Sequence, residues 1–96
     1  MEVKIQAIKF DATVKLQDFI QKRLQKLDRF YDGIATIDVT LKVVKPETSN
    51  NKEAEVKLIA PHLELFASKI SDSFEQSIDE CADALQRQLI KAKEKK

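Results

Sequence analysis

Ile37-Asp38-Val39-Thr40-Leu41-Lys42-Val43 alternates apolar and polar side chains without a break, and the same period of two returns in Glu53-Ala54-Glu55-Val56-Lys57-Leu58. A period of two belongs to a strand with one face buried and the other in water. Lys45-Pro46-Glu47-Thr48-Ser49-Asn50-Asn51, between the two runs, is the clearest loop in the chain. Pro61-His62 then marks a turn before Leu63, Leu65 and Ala67 repeat the alternation. Connections this short exclude parallel crossovers, so the three strands form an antiparallel meander.

On the N-terminal side, Val3, Ile5 and Ala7 alternate with Lys4 and Gln6 and predict one further strand. Asp11 or Thr13 then offers a side-chain oxygen to cap a helix. Leu16, Ile20, Leu24, Leu27 and Tyr31 recur at helical spacing, with Phe19 and Phe30 on the shoulders, and predict a helix ending near Asp32-Gly33. Gly33 is the only glycine and suits a left-handed cap. On the C-terminal side a second helix opens at Ser71 or Asp72 and packs through Phe74, Ile78, Cys81, Ala82, Leu85 and Leu89. The order β-α-β-β-β-α leaves two amphipathic helices to bury their stripes, and the economical solution lays both on one face of a four-stranded sheet. The expected fold class is therefore α+β, in one domain spanning residues 1–96, with the opposite sheet face polar and wet.

Composition narrows the functional classes. The 96 residues are 43% hydrophobic and 34% charged, an ordinary globular mix. The lone Cys81 cannot form an internal disulfide and fits a reducing compartment. No run approaches the roughly 18 apolar residues of a membrane span, and the N-terminus lacks the apolar stretch of a signal peptide. A soluble cytoplasmic protein with no membrane partner is the expectation.

Enzymatic signals are weak. Gly33 stands alone, so there is no phosphate-cradling loop, and no nucleophile sits beside a base. His62, the only histidine, reads as a surface turn residue, and Cys81 reads as packing between Ile78 and Leu85. Neither has a second Cys or His to join it in a metal site. Glu75, Asp79 and Asp83 lie at helical spacing, but acids early in a helix stabilise its dipole and read as a solvated face. No cofactor is expected.

Charge layout says more than net charge, which is only +1. The last helix carries Asp72, Glu75, Asp79, Glu80 and Asp83 first, then Arg87, Lys91, Lys93, Lys95 and Lys96. On the first helix, Lys15, Lys22, Lys26 and Arg29 fall within an arc of roughly 60° opposite the apolar stripe, with Arg23 nearer the flank. Two cationic clusters on helices sharing one sheet face can line up against a phosphate backbone, through Coulomb attraction and counterion release. The lysine-rich end is expected to project. With no tryptophan and a single tyrosine, Tyr31, base stacking has little support. Recognition of structured RNA by shape and phosphate fits better, and DNA is not an expected partner.

The sequence also resembles a known family, the short ribosome hibernation promoting factors and the related ribosome-associated inhibitor. The residues that carry the likeness are Thr13, Arg23-Leu24-Gln25-Lys26-Leu27-Asp28-Arg29-Phe30-Tyr31, Leu41-Lys42-Val43, Asp72-Ser73-Phe74 with Ile78-Asp79, and above all Asp83-Ala84-Leu85-Gln86-Arg87-Gln88-Leu89 followed by Lys91. The resemblance implies a fold that looks like a double-stranded RNA-binding domain. It further implies a non-enzymatic protein bound to 16S rRNA in the mRNA and tRNA channel of the small ribosomal subunit, silencing translation in slow growth or stationary phase. For short members it implies a separate ribosome modulation factor as a second partner. Carried over residue by residue, the rRNA-binding cations are Arg23 and Lys26 on the first helix and Arg87 and Lys91 on the last, with Lys22 and Arg29 added by the arc. Relatives often have lysine directly before the residue that Leu85 matches. This chain has Ala84 there, which leaves one expected phosphate contact without its cation. A structured-RNA-binding module not specific to ribosomes is the alternative.

Overall fold

The computed structural model describes residues 1–44 and 50–94. Residues 45–49 of the expected loop and the terminal Lys95 and Lys96 lie outside the described residues. Strand β1 spans Glu2–Ala7, helix α1 Val14–Gln25, and strands β2, β3 and β4 Thr36–Val43, Lys52–Ala60 and Leu63–Ser71, before helix α2, Phe74–Glu94. The strands form one sheet in the order β1-β2-β3-β4. The pairs β2-β3 and β3-β4 are antiparallel, as the short connections require, while β1 lies parallel to β2 across the α1 crossover.

The alternation read from the sequence sorts the sheet into two faces. Ile37, Val39 and Leu41 of β2 and Ala54, Val56, Leu58 and Ala60 of β3 are buried beneath the helices. Ile20, Leu24, Ile78, Leu85 and Leu89 close the core from above. The open face carries ion pairs: Lys42 Nζ lies 3.5 Å from Glu53 and 3.2 Å from Glu55, and Lys57 Nζ lies 3.2 Å from Glu64. It is not wholly polar, because Phe66 and Ile70 of the edge strand β4 are exposed there, Phe66 by 55%.

Of the two expected caps, Thr13 closes α1: its Oγ1 accepts a hydrogen bond from the Leu16 amide at 3.1 Å. Two other boundaries differ from expectation, each for a local reason. Regular α geometry then stops at Gln25, and Lys26–Arg29 continues as a 3-10 turn. A 3-10 turn stacks residues three apart, which keeps Leu24, Leu27 and Phe30 on the core side. Gly33, with φ +88°, lies beyond that turn and does not cap the helix. At the other helix, β4 stays paired with β3 up to Ser71 opposite Lys52, so α2 starts later than expected. Ser73 Oγ accepts from the Gln76 amide at 3.1 Å and takes the capping role expected of Ser71 or Asp72. His62 is exposed in the two-residue β3-β4 turn, with φ 63°.

Strand directions fix helix directions. Strands β1, β2 and β4 all run the same way, and α1 and α2 each fold back over the sheet from β1 and β4, so the helices run parallel to each other. Two contacts hold that register. Phe10, just before α1, stacks on Phe74, the first residue of α2, with ring centroids 5.2 Å apart. Further along, Arg23 bonds to Asp79 and Asp83. Both helices therefore point their C-terminal ends the same way, and α2 runs on past the end of α1.

Candidate nucleic-acid interface

The C-terminal parts of the two helical segments carry the cations. Lys22 occupies the last part of α1, and Lys26 and Arg29 the 3-10 turn, all three exposed. Arg87 and Lys91 are exposed on the second half of α2. None of the five makes a salt bridge or side-chain hydrogen bond with another described residue, so each leaves a solvated charge to offer. Lys15 lies in the first turn of α1, at the opposite end of that helix.

Arg23 behaves differently. Its Nε donates to Asp79 Oδ1 at 2.7 Å and its Nη2 to Asp83 Oδ1 at 2.9 Å, and its side chain is only 22% exposed. Arg23 is therefore not a free cation: its charge is matched by two carboxylates, and its fork ties α1 to α2. The same bonds revise the acidic half of α2. Asp79 and Asp83 are more than a solvated face, because they receive the neighbouring helix.

Cys81 is fully buried, and its Sγ lies 3.5 Å from the Ala54 carbonyl oxygen. Burial pushes its thiol up from 9.0 to about 11, which leaves it protonated near neutrality. Among the described residues no group of three or more His, Cys, Asp or Glu could hold a metal ion, and no helix is long and apolar enough to cross a membrane.

One cation escaped the sequence reading. Lys69 on β4 lines a concavity of about 150 Å³ with Glu80, Asp83, Ala84 and Arg87 of α2. A signal for it exists: Leu63, Leu65, Ala67, Lys69 and Ser71 share one side of β4, the side that faces the helices, and Lys69 is the charge that breaks this row.

Fold and surface define a two-layer α+β domain with unpaired cations on its helix side and an ion-paired, acid-rich sheet face. Solved structures share the fold. A ribosomal subunit interface protein from Coxiella burnetii superposes with a TM-score of 0.88 over 99% of this chain and 100% of that one, at 22% identity. The Thermus thermophilus Protein Y N-terminal domain gives 0.83 over 96% and 99%, also at 22% identity. Residues 3–96 match the family described as Sigma 54 modulation protein / S30EA ribosomal protein, and the chain belongs to that family. Among its relatives, the ribosome hibernation promoting factor of Azotobacter vinelandii is 33% identical over 95 residues, 99% of this chain and 85% of that protein. The factor of the same name from Klebsiella oxytoca is 30% identical over 99% of this chain and 96% of its own length.

Proposed function

We propose that this protein is a ribosome-binding translational inhibitor. It occupies the mRNA and tRNA channel of the small subunit through phosphate contacts to 16S rRNA, and it promotes ribosome hibernation in slow growth or stationary phase. The observation that carries the reading is that Lys22, Lys26, Arg29, Arg87 and Lys91, all exposed and unpaired among the described residues, lie on the C-terminal parts of two parallel helical segments. Membership of a family whose relatives are named for ribosome hibernation supplies the target.

The mechanism is competitive occlusion. A folded domain seated in the channel fills space that messenger and transfer RNA need, and no bond is made or broken. Lys22, Lys26, Arg29, Arg87 and Lys91 contact phosphate oxygens, while Arg23 holds the two helices in the register that aligns them. Binding through several phosphates releases counterions, so affinity falls steeply with salt. In this proposal the domain acts at the ribosome in the cytoplasm, and a separate modulation factor completes the pairing of silenced ribosomes.

The deciding experiment changes Arg87 and Lys91 together to Glu and measures co-sedimentation with 30S subunits. Loss of co-sedimentation with unchanged thermal unfolding is the expected result, and near-normal binding would overturn the assignment. Equal affinity of the unaltered chain for free duplex RNA and for 30S subunits would favour a general RNA-binding module instead.

A further inference from the structure

We infer that Lys69 and Arg87 form a phosphate-binding subsite across the β4-α2 seam, with Ala84 as its floor, and that Lys69 supplies from the sheet a cation that α2 itself lacks there. The inference rests on the RNA-binding reading above and extends it to a residue outside both helices.

The two cations flank Ala84 in one concavity of about 150 Å³, the order of size that a phosphate group fills. Two acids share the lining, and both are already engaged. Asp83 accepts from Arg23 at 2.9 Å, and Glu80 Oε2 accepts from Gln76 Nε2 at 3.1 Å. Lys69 and Arg87 make no ion pair with any described residue. Ala84, with only a methyl side chain, leaves room in the concavity. Gln88 Nε2 reaches the Phe66 carbonyl at 3.4 Å, one turn of α2 beyond Ala84, and fastens the helix to the same edge strand. The two walls of the subsite are thereby held to each other.

The chemistry suits a backbone phosphodiester. Arg87 offers a planar fork to two phosphate oxygens, and Lys69 offers a compact point charge. Lys91, one turn beyond Arg87, continues the line of positive charge along α2.

The test compares the unaltered chain with Lys69→Gln, Ala84→Lys and the double variant, measuring affinity for 30S subunits across a salt series. Lys69 is exposed, so Lys69→Gln leaves the thermal unfolding midpoint in place. Lys69→Gln is expected to weaken binding about three- to tenfold and to lower the slope of log K against log salt by about 0.7 to 0.9, the loss of one phosphate contact. Ala84→Lys in the Lys69→Gln background, which returns a cation to the same concavity, is expected to restore most of both. Salt-dependent binding that is identical for the unaltered chain and Lys69→Gln overturns the subsite and leaves the proposed function standing. No salt-dependent binding by the unaltered chain overturns both.

Discussion

Arg23 of α1 donates Nε to Asp79 Oδ1 of α2 at 2.7 Å, a bond between residues far apart in sequence that sets the register of the two helices. A second donor of the same guanidinium reaches Asp83 at 2.9 Å. The two carboxylates are 51% and 58% exposed, so solvent screens the pair and its worth is that of a good surface network. Arg23→Ala is expected to lower stability by about 1 kcal/mol, measured by urea unfolding. Arg23→Lys should recover less than half of the loss, because an ammonium lacks the fork that reaches both acids. The salt slope of 30S binding should not change in Arg23→Ala, since its charge is already matched. A slope reduced by a full contact would make Arg23 a phosphate ligand after all.

The sheet face provides the contrast to the helix face. Lys42 is held by Glu55 and Glu53, and the hydrogen bond to Glu55, with the Coulomb attraction of the same carboxylate, raises its pKa above the usual lysine value. Lys57 is paired with Glu64. Lys42→Gln and Lys57→Gln should therefore leave 30S affinity and its salt slope unchanged, in a titration alongside the Arg87 and Lys91 variants. A loss comparable to theirs would place the RNA on the wrong layer.

Beneath the start of α2 lies a compact hydroxyl cluster. Ser77 Oγ lies 2.7 Å from the Lys52 carbonyl and 2.7 Å from Ser71 Oγ, which in turn lies 2.7 Å from the Ser73 carbonyl. Two hydroxyl protons fill at most two of these three contacts, so neither hydroxyl has a proton to spare. Ser77 is fully buried. Ser77→Ala removes a donor from the Lys52 carbonyl and should cost about 1–2 kcal/mol, read as a lower urea midpoint at unchanged slope.

Cys81 makes a pH prediction. Its thiol ionises at about 11 in the folded chain, because burial disfavours the thiolate, against 9.0 when unconstrained. Above pH 9 the unfolded chain loses this proton first and so binds fewer protons than the folded one. Stability contributed by the neutral thiol is therefore complete below pH 9 and is lost as pH rises towards 11. Cys81→Ala should show a smaller fall in thermal midpoint across that window than the unaltered chain. A thiol-alkylating reagent at pH 7.5 should modify the folded chain only at the rate of its unfolding.

How much of this was legible in the sequence depends on the range of the interaction. The alternation at Ile37 to Val43 and at Ala54 to Leu58 is local, and it fixed both the strands and their buried faces. Helix ends were less legible, because the tightening of Lys26–Arg29 into a 3-10 turn and the extension of β4 to Ser71 answer to tertiary packing and strand pairing. Lys22, Lys26 and Arg29 were read from helical phase, and Arg87 and Lys91 from the charge run of the last helix and the family resemblance. The pairing of Arg23 with Asp79 and Asp83 was not, since helical phase puts a residue on a flank without saying what the flank meets. Lys69 was overlooked for a related reason: its place in the row of β4 was visible, but its neighbours Ala84 and Arg87 come from another element.

The parallel course of α1 and α2 has one more consequence. Peptide dipoles leave the C-terminal end of a helix with roughly half an elementary negative charge, and here both helices point that end the same way. The lysines and arginines gathered there must first offset that electronegative pole before any net attraction is left for a phosphate. The usable charge is thus smaller than a count of basic residues suggests. Each cation consequently weighs more in binding than its share of the total.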